Sequence, residues 1–230
     1  MVEIKNTQVY DLKESVVASG NAMRFEPEEI TNESFDKSIE RCTRLAKNGG
    51  GSGHTNFRTG ILVAFDLKYP QYFSKQIQRY HFFQYVSSTS MMHRITKMDF
   101  SKCCNRYVSE SVKRNENSLI EFYNLLVLNK NDDVVWNDLM KDYIVWINSE
   151  YEDTITPFFM SKDDILYDLY MRIISNCPMG AELWVHCSTN YEQLATIYRQ
   201  RKNHKLKEDW GTFCKWIESL PYAKELIICE

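Results

Sequence analysis

The chain has 230 residues, of which 43% are hydrophobic and 26% charged, enough for one well-filled core or one large α/β domain with a helical insert. Its net charge of −3, from 28 basic and 31 acidic residues with neither sign gathered into a tail, argues against a surface built for nucleic acid. Seven cysteines without a C-x-x-C pair exclude a zinc ribbon or redox dithiol, and no apolar run approaches the ~20 residues of a bilayer span, so a cytoplasmic protein with free thiols is expected.

The opening segment Val2–Tyr10 alternates and reads as a strand. Ser34–Lys47 carries Phe35, Ile39, Cys42 and Leu45 at helical spacing, with Ser34 in the N-cap position. The run Gly49-Gly50-Gly51-Ser52-Gly53 then reads either as a flexible surface loop or as backbone passing close to a ligand. Gly60–Leu67 reads as a buried strand, and Pro70 opens a helix rich in aromatics from Gln71 to about Ser88. Residues ~106–175 look helical throughout, with stripes at Leu119, Tyr123, Leu126 and at Val135, Leu139, Ile144, and Asn129–Asp133 link two of these helices. Ala181–Cys187 alternates as a strand. Two closing helices follow, from Asn190 to about Lys202 and from Asp209 to Leu220. This order predicts an α+β (mixed α/β) fold with a small central sheet, flanking helices and a helical insert at about 101–175, all in one domain spanning 1–230. No phosphate loop and no G-x-G-x-x-G after a strand is present, so the common nucleotide-binding folds have no support.

Three segments concentrate polar groups: Ser52–Arg58, Gln76–His81 with Ser87–Arg94, and Ser188–His204. In the second, three serines and Thr89 at an expected helix end stand before His93 and Arg94. Short donors beside a guanidinium suit a phosphate, and they equally suit a helix C-terminus capped by its own hydroxyls. The basic run Arg199–Lys205 is open to the same two readings, a solvated helix end or a phosphate site. A serine hydrolase using Ser88 or Ser90, His93 and Asp99 has the residue types, but no G-x-S-x-G elbow occurs and Ser and His three apart suit no usual triad.

Together these segments resemble the flavin-dependent thymidylate synthases, in which a glycine- and histidine-containing loop precedes a strand. That strand leads to a Q-x-x-R-H-R-x-x-S helix, and a late strand and helix carry N-x-R-S-L and an arginine. Here the order is Ser52-Gly53-His54-Thr55-Asn56-Phe57, then Gln76-x-x-Arg79-Tyr80-His81 with Ser87–Ser90 and Arg94, then Asn190-x-x-x-Leu194 and Arg201. The resemblance covers roughly residues 1–100 and 178–220. It implies a homotetramer that binds FAD, draws on NADPH and methylene-tetrahydrofolate, and reductively methylates dUMP at C5. It implies that His54, Thr55, Arg79, His81 and Asn190 contact the flavin, that Gln76, Ser88, Ser90, Arg94 and Arg201 hold the nucleotide, and that Arg94 and Arg201 serve catalysis by charge and orientation. No metal is implied. The sequence departs from the pattern at Tyr80 and His81, at the spacing to Arg94 (Met91 is the ungapped match), and at Glu192 and Glu182, where the family carries arginines. Those departures leave two alternatives: another C5 modification such as hydroxymethylation, or a non-catalytic nucleotide-binding protein.

Overall fold

A computed structural model describes residues 2–48, 53–100, 102–105, 110–150 and 161–229. The chain divides into two compact units, Met1–Ser88 with Glu182–Glu230, and Thr89–Ala181. Most of the glycine run (49–52) and two stretches expected to be helical, 106–109 and 151–160, lie outside the described residues.

The first unit is built on a four-stranded antiparallel sheet of β1 (Glu3–Tyr10), β2 (Leu62–Pro70), β3 (Gln84–Ser88) and β4 (Glu182–Asn190), in the order β1-β2-β4-β3. The alternation in the sequence sets its faces. Val63, Phe65, Leu67 and Tyr69 of β2 and Leu183, Val185, Cys187 and Thr189 of β4 are buried, while their neighbours face the other way. Against the buried face lie α4 (Gln71–Ile77), α9 (Tyr191–Arg201) and α10 (Lys207–Glu218). The Phe65 ring meets Trp216, Phe83 and Phe213 at centroid distances of 4.3, 5.8 and 6.2 Å, and each such buried side chain contributes about 1.5–3 kcal/mol. Buried Asp209 in α10 accepts from the Val2 backbone N–H (3.2 Å) and the Tyr72 hydroxyl (2.6 Å), tying strand β1 and helix α4 to one carboxylate.

Helix α1 (Leu12–Ala18) packs on α2 (Asn32–Ala46) and on the short α3 (Phe57–Gly60), and α3 also meets α9 and strand β4. The N-cap of α2 is Thr31, not Ser34. Ser34 occupies the third helical position and closes a reciprocal capping box, its amide donating to Thr31 Oγ1 and the Thr31 amide to Ser34 Oγ. Nor does one helix run from Gln71 to Ser88. It stops at Ile77, and Gln84–Ser88 form the edge strand β3. Phe73, Ile77, Tyr80 and Phe83 are all buried at spacings of four and three, so a turn over the core continues the helical stripe, whereas Tyr85-Val86-Ser87-Ser88 favour a pleated strand.

The second unit is helical. Helices α6 (Glu110–Asn129), α7 (Asp133–Glu150) and α8 (Lys162–Ser175) pack with a short α5 (Met91–Arg94) around Ile95, Phe100, Leu126, Tyr143, Leu169 and Ile173. Asp132 caps α7 by accepting from the amides of Val134 and Val135. Among the described residues of α7, Trp136, Met140 and Tyr143 are buried; of the expected Val135–Leu139–Ile144 stripe, Leu139 and Ile144 are partly buried against the same core and Val135 is exposed. Two adjacent faces of α7 are apolar, and periodicity alone does not choose between them. Tyr143 donates to Asp168 (2.9 Å), which also pairs with Arg172, satisfying a hydroxyl whose burial pushes its ionisation well above the usual tyrosine range.

Candidate functional site

Helix α9 begins because Asn190 ends strand β4 in an extended conformation and its side chain accepts from the Gln193 amide at 2.9 Å. The same corner fixes the turn between α4 and β3. Gln193 Oε1 accepts from the Phe82 amide (3.1 Å), and Thr189 Oγ1 donates to the Phe82 carbonyl (2.8 Å). That turn sets Tyr80 against the far end of α9, where Arg201 is the last helical residue.

Arg201 is held on three sides. Its Nε donates to the Tyr80 hydroxyl at 2.7 Å, Nη1 reaches Gln76 Oε1 at 3.5 Å, and the guanidinium lies 4.7 Å from the Trp210 ring centroid. Trp210 Nε1 donates to the same Gln76 oxygen (3.0 Å), and Tyr80 in turn donates to Gln200 Oε1 (3.0 Å). The guanidinium is thus oriented before any ligand arrives, the condition under which a planar fork binds a phosphate or carboxylate best. Burial holds Tyr80 above the usual tyrosine range against the opposing pull of Arg201, so it stays a neutral hydroxyl. His204 adjoins Trp210 (6.0 Å between centroids), and its Nδ1 accepts from the Leu206 amide. Burial first, then Arg201 and Lys205, lower its pKa. At neutral pH it is therefore an uncharged imidazole with its proton on Nε2.

Apart from this cluster, a cleft of about 850 Å³ opens among α1, α2, α3 and the Gly53–Asn56 turn, with Arg24, Arg41, His54 and Phe57 among its walls. Arg24 is anchored on the Val17 carbonyl and Glu28, and Arg41 on Ser19 and Ser38. His54 is exposed at the cleft, while Thr55 is buried. The close approach of α3 to α1 requires glycine: a Cβ on Gly60 would lie 2.2 Å from Ser15 Oγ.

Of the expected site residues, the structure brings Gln76 and Arg201 together. His54 lines the separate cleft, and Thr55, next to it in the chain, is buried. Arg79 and His81 are exposed, His81 lying edge-on to Phe82 (4.8 Å). Asn190 is buried, with its side-chain oxygen engaged by the helix cap. Ser88 is exposed at the end of strand β3, so the serines do not crowd a helix end as expected. Ser90 and Arg94 belong to the helical unit, where Ser90 caps α5 through the His93 amide and Arg94 is exposed. Asp99 pairs with Lys102, so Ser90, His93 and Asp99 form no hydrolytic relay. The two reversed charges have local partners: Glu192 meets buried Arg58 (3.4 Å) and Glu182 meets Lys68 (2.9 Å). Tyr80 and Trp210 were not singled out from the sequence as site residues, whereas His204 closed the third polar segment. Tyr80 stood inside the altered Arg79-Tyr80-His81 triplet, and Trp210 carried no local signal. No helix among the described residues is long and apolar enough to cross a membrane.

No protein-family model matches the sequence, and no curated protein is detectably similar to it. Solved structures are. A flavin-dependent thymidylate synthase from Helicobacter pylori complexed with FAD and dUMP superposes with a TM-score of 0.57 at 15% identity, over 98% of each chain. A second structure of a thymidylate synthase X from the same organism with FAD and dUMP gives 0.56 at 16% identity, over 100% of this chain and 99% of that one. The chain therefore has the α+β fold of these proteins.

Proposed function

We propose that this protein is a flavin-dependent enzyme that modifies a pyrimidine deoxynucleotide at C5, with reductive methylation of dUMP as its reaction. One observation carries the reading. On a backbone similar over its whole length to dUMP-bound flavoproteins, Arg201 is the residue that the Tyr80 hydroxyl, the Gln76 amide and the Trp210 ring hold in a fixed pose. In this reading Arg201 binds the nucleotide and stabilises negative charge that develops on the pyrimidine, a task of orientation and electrostatics that needs no protein nucleophile. Neutral His204 stands beside it as a hydrogen-bond donor. Gln76 and Ser88, of the same unit, complete the nucleotide's contacts, and the assembly is a homotetramer.

The 850 Å³ cleft falls in the size range of cofactor pockets, and its guanidinium groups and imidazole suit the phosphates and the flat rings of a dinucleotide. The residues therefore fit a flavin, and His54, Arg24 and Arg41 would hold it there, with Thr55, Arg79, His81 and Asn190 as its further neighbours. The flavin supplies the reducing equivalents, drawn from NADPH, and methylene-tetrahydrofolate supplies the carbon.

A second reading, a nucleotide-binding protein without catalysis, is favoured by Glu192 being consumed by Arg58 and by Asn190 being consumed by a cap. Purification followed by flavin titration separates the two: the enzyme reading expects a yellow protein or saturable flavin uptake. A protein that takes up no flavin sinks it and leaves the nucleotide binder. With flavin bound, tritium release from C5-labelled dUMP is expected, and the mass of the product distinguishes a methyl from a hydroxymethyl group.

A further inference from the structure

Outside the Arg201 cluster and the cleft described above, a smaller concavity lies where α2, α3 and α9 meet the C-terminal turn Lys224–Ile228. It has a volume of about 160 Å³ and is lined by Lys47, Arg58, Arg199, Cys229, Ala195 and Ile227, among others, with no acidic residue among the described residues of its wall. Arg58 is 3% exposed. Its Nη2 donates to the Ala46 carbonyl (3.3 Å) and lies 2.9 Å from Cys229 Sγ. Its Nη1 reaches Glu192 only at 3.4 Å, and its Nε has no hydrogen-bond partner among the described residues. A buried guanidinium with a free donor and one long ionic contact is under-compensated, because burying a charge is costly unless it is fully paired. Arg199 and Lys47 add two further positive charges at the rim, so three cations face one carboxylate.

Of the three, Arg58 touches the Cys229 thiol directly. Burial pushes that thiol up, while Arg58, Lys47 and Arg199 each pull it down, so the thiol lines a wall that carries three positive charges. At ~30 Å³ per water, the space holds roughly five water molecules. That is room for a tetrahedral oxyanion of five heavy atoms.

We infer that this pocket is a binding site for a small oxyanion of the phosphate class, held by Arg58 from within and by Lys47 and Arg199 at the rim. It shares no residue with the Arg201 cluster, so it does not depend on the function proposed above. The phosphate is either the free ion or the terminal group of a nucleotide whose sugar and base remain outside.

The test follows alkylation of Cys229 by iodoacetamide, a neutral reagent, in the full chain, read by peptide mass spectrometry with buried Cys42 and Cys187 as internal controls. Inorganic phosphate, at ionic strength held constant with chloride, is expected to slow Cys229 alkylation saturably in the millimolar range. The double variant Lys47→Ala/Arg199→Ala, which alters only exposed side chains, is expected to shift half-protection at least tenfold. Protection that does not saturate, that chloride reproduces, or that the double variant leaves unchanged overturns the assignment. Protection by inorganic phosphate alone assigns the free ion, and protection by both phosphate and dUMP assigns the shared phosphate group. Protection by dUMP without any by phosphate overturns the site as drawn.

Discussion

Removing the Glu192 carboxylate should destabilise the corner where α9 meets α3. The Arg58 side chain is 4% exposed and that of Glu192 22%, with 3.4 Å between the charged atoms. Truncating one member of a fully buried pair costs about 3–5 kcal/mol, and an exposed pair is worth about 0–1. Here one partner is enclosed, the other a fifth open, and Arg58 keeps its bonds to Ala46 and Cys229. The estimate for Glu192→Ala is therefore about 2 kcal/mol, between those limits. Because the chain has two compact units, global unfolding need not be two-state. Amide hydrogen exchange in α9 and strand β2 is the better assay, since it reads the opening free energy of this unit. A cycle with Arg58→Met should return a coupling of about 2 kcal/mol, with Arg58→Met/Glu192→Gln milder than either change to an unpaired charge. Glu192→Arg, which restores the arginine of the related motif, should cost more than alanine, because it sets a second cation against a buried first. A loss below about 0.5 kcal/mol in Glu192→Ala, or no coupling in the cycle, would refute the view that Arg58 is why this position is acidic.

Arg201→Lys should weaken nucleotide binding by roughly 10-fold to 100-fold, the worth of a charge-assisted hydrogen bond, because an ammonium keeps the charge but loses the fork held by Tyr80 and Gln76; equilibrium binding of dUMP measures it, and an unchanged affinity removes Arg201 from the site. Gly60→Ala should lower thermal stability by an overpacking penalty of about 1–3 kcal/mol, since the new Cβ meets Ser15 Oγ, and Ser15→Gly in the same chain should recover most of it. Asp66 accepts from Asn6 (2.6 Å) and lies 2.7 Å from His186 Nδ1, and these two contacts, Asn6 first, hold its carboxyl below the usual range. Its stabilising contribution is therefore complete above the unfolded value near ~3.9 and lost as pH falls through the folded one, so Asp66→Asn should flatten the acid limb of a stability–pH curve; an identical limb in the variant would show that the contacts do not persist in solution.

The sheet was legible where one face is buried, because β2 and β4 alternate cleanly and a one-residue slip would have exposed Phe65 or Val185. Strand β3 was not, for its two neighbouring core aromatics, Tyr80 and Phe83, sit in a turn and keep the helical spacing of Phe73 and Ile77 going. The cap of α2 was misplaced by three residues because Thr31 and Ser34 cap each other, and both are good capping residues. Gln76 and Arg201, which the resemblance names together, do meet in the fold. The groups that orient them were not legible, since Tyr80 works through its hydroxyl and Trp210 through its ring face, roles that ordinary core aromatics also fill. The two acidic departures were visible in the sequence, but their partners, Arg58 and Lys68, are distant along the chain or on another strand and became evident only in the fold.

Helix α9 also limits what one copy of the chain can do. Asn190 precedes its first turn and Arg201 is its last residue, so at ~1.5 Å per residue they stand roughly 16 Å apart along the axis. A pyrimidine ring cannot touch both. Within one copy, only a ligand as long as a dinucleotide could reach from one to the other; otherwise the two act on different ligands, or on ligands shared with another copy. Asn190 has a purely structural task open to it, because its oxygen already accepts the Gln193 amide. Two substitutions separate the tasks. Asn190→Asp keeps an acceptor in the cap and places a negative charge at a helix N-terminus, where it is favourable, so a capping role predicts near-normal stability and unchanged flavin uptake. Asn190→Ala removes the cap and should cost about 1 kcal/mol, read as faster exchange of the Gln193 amide. If Asn190→Asp instead abolishes flavin uptake while the Gln193 amide stays protected, the side chain serves the cofactor directly, and the cap is only where it rests.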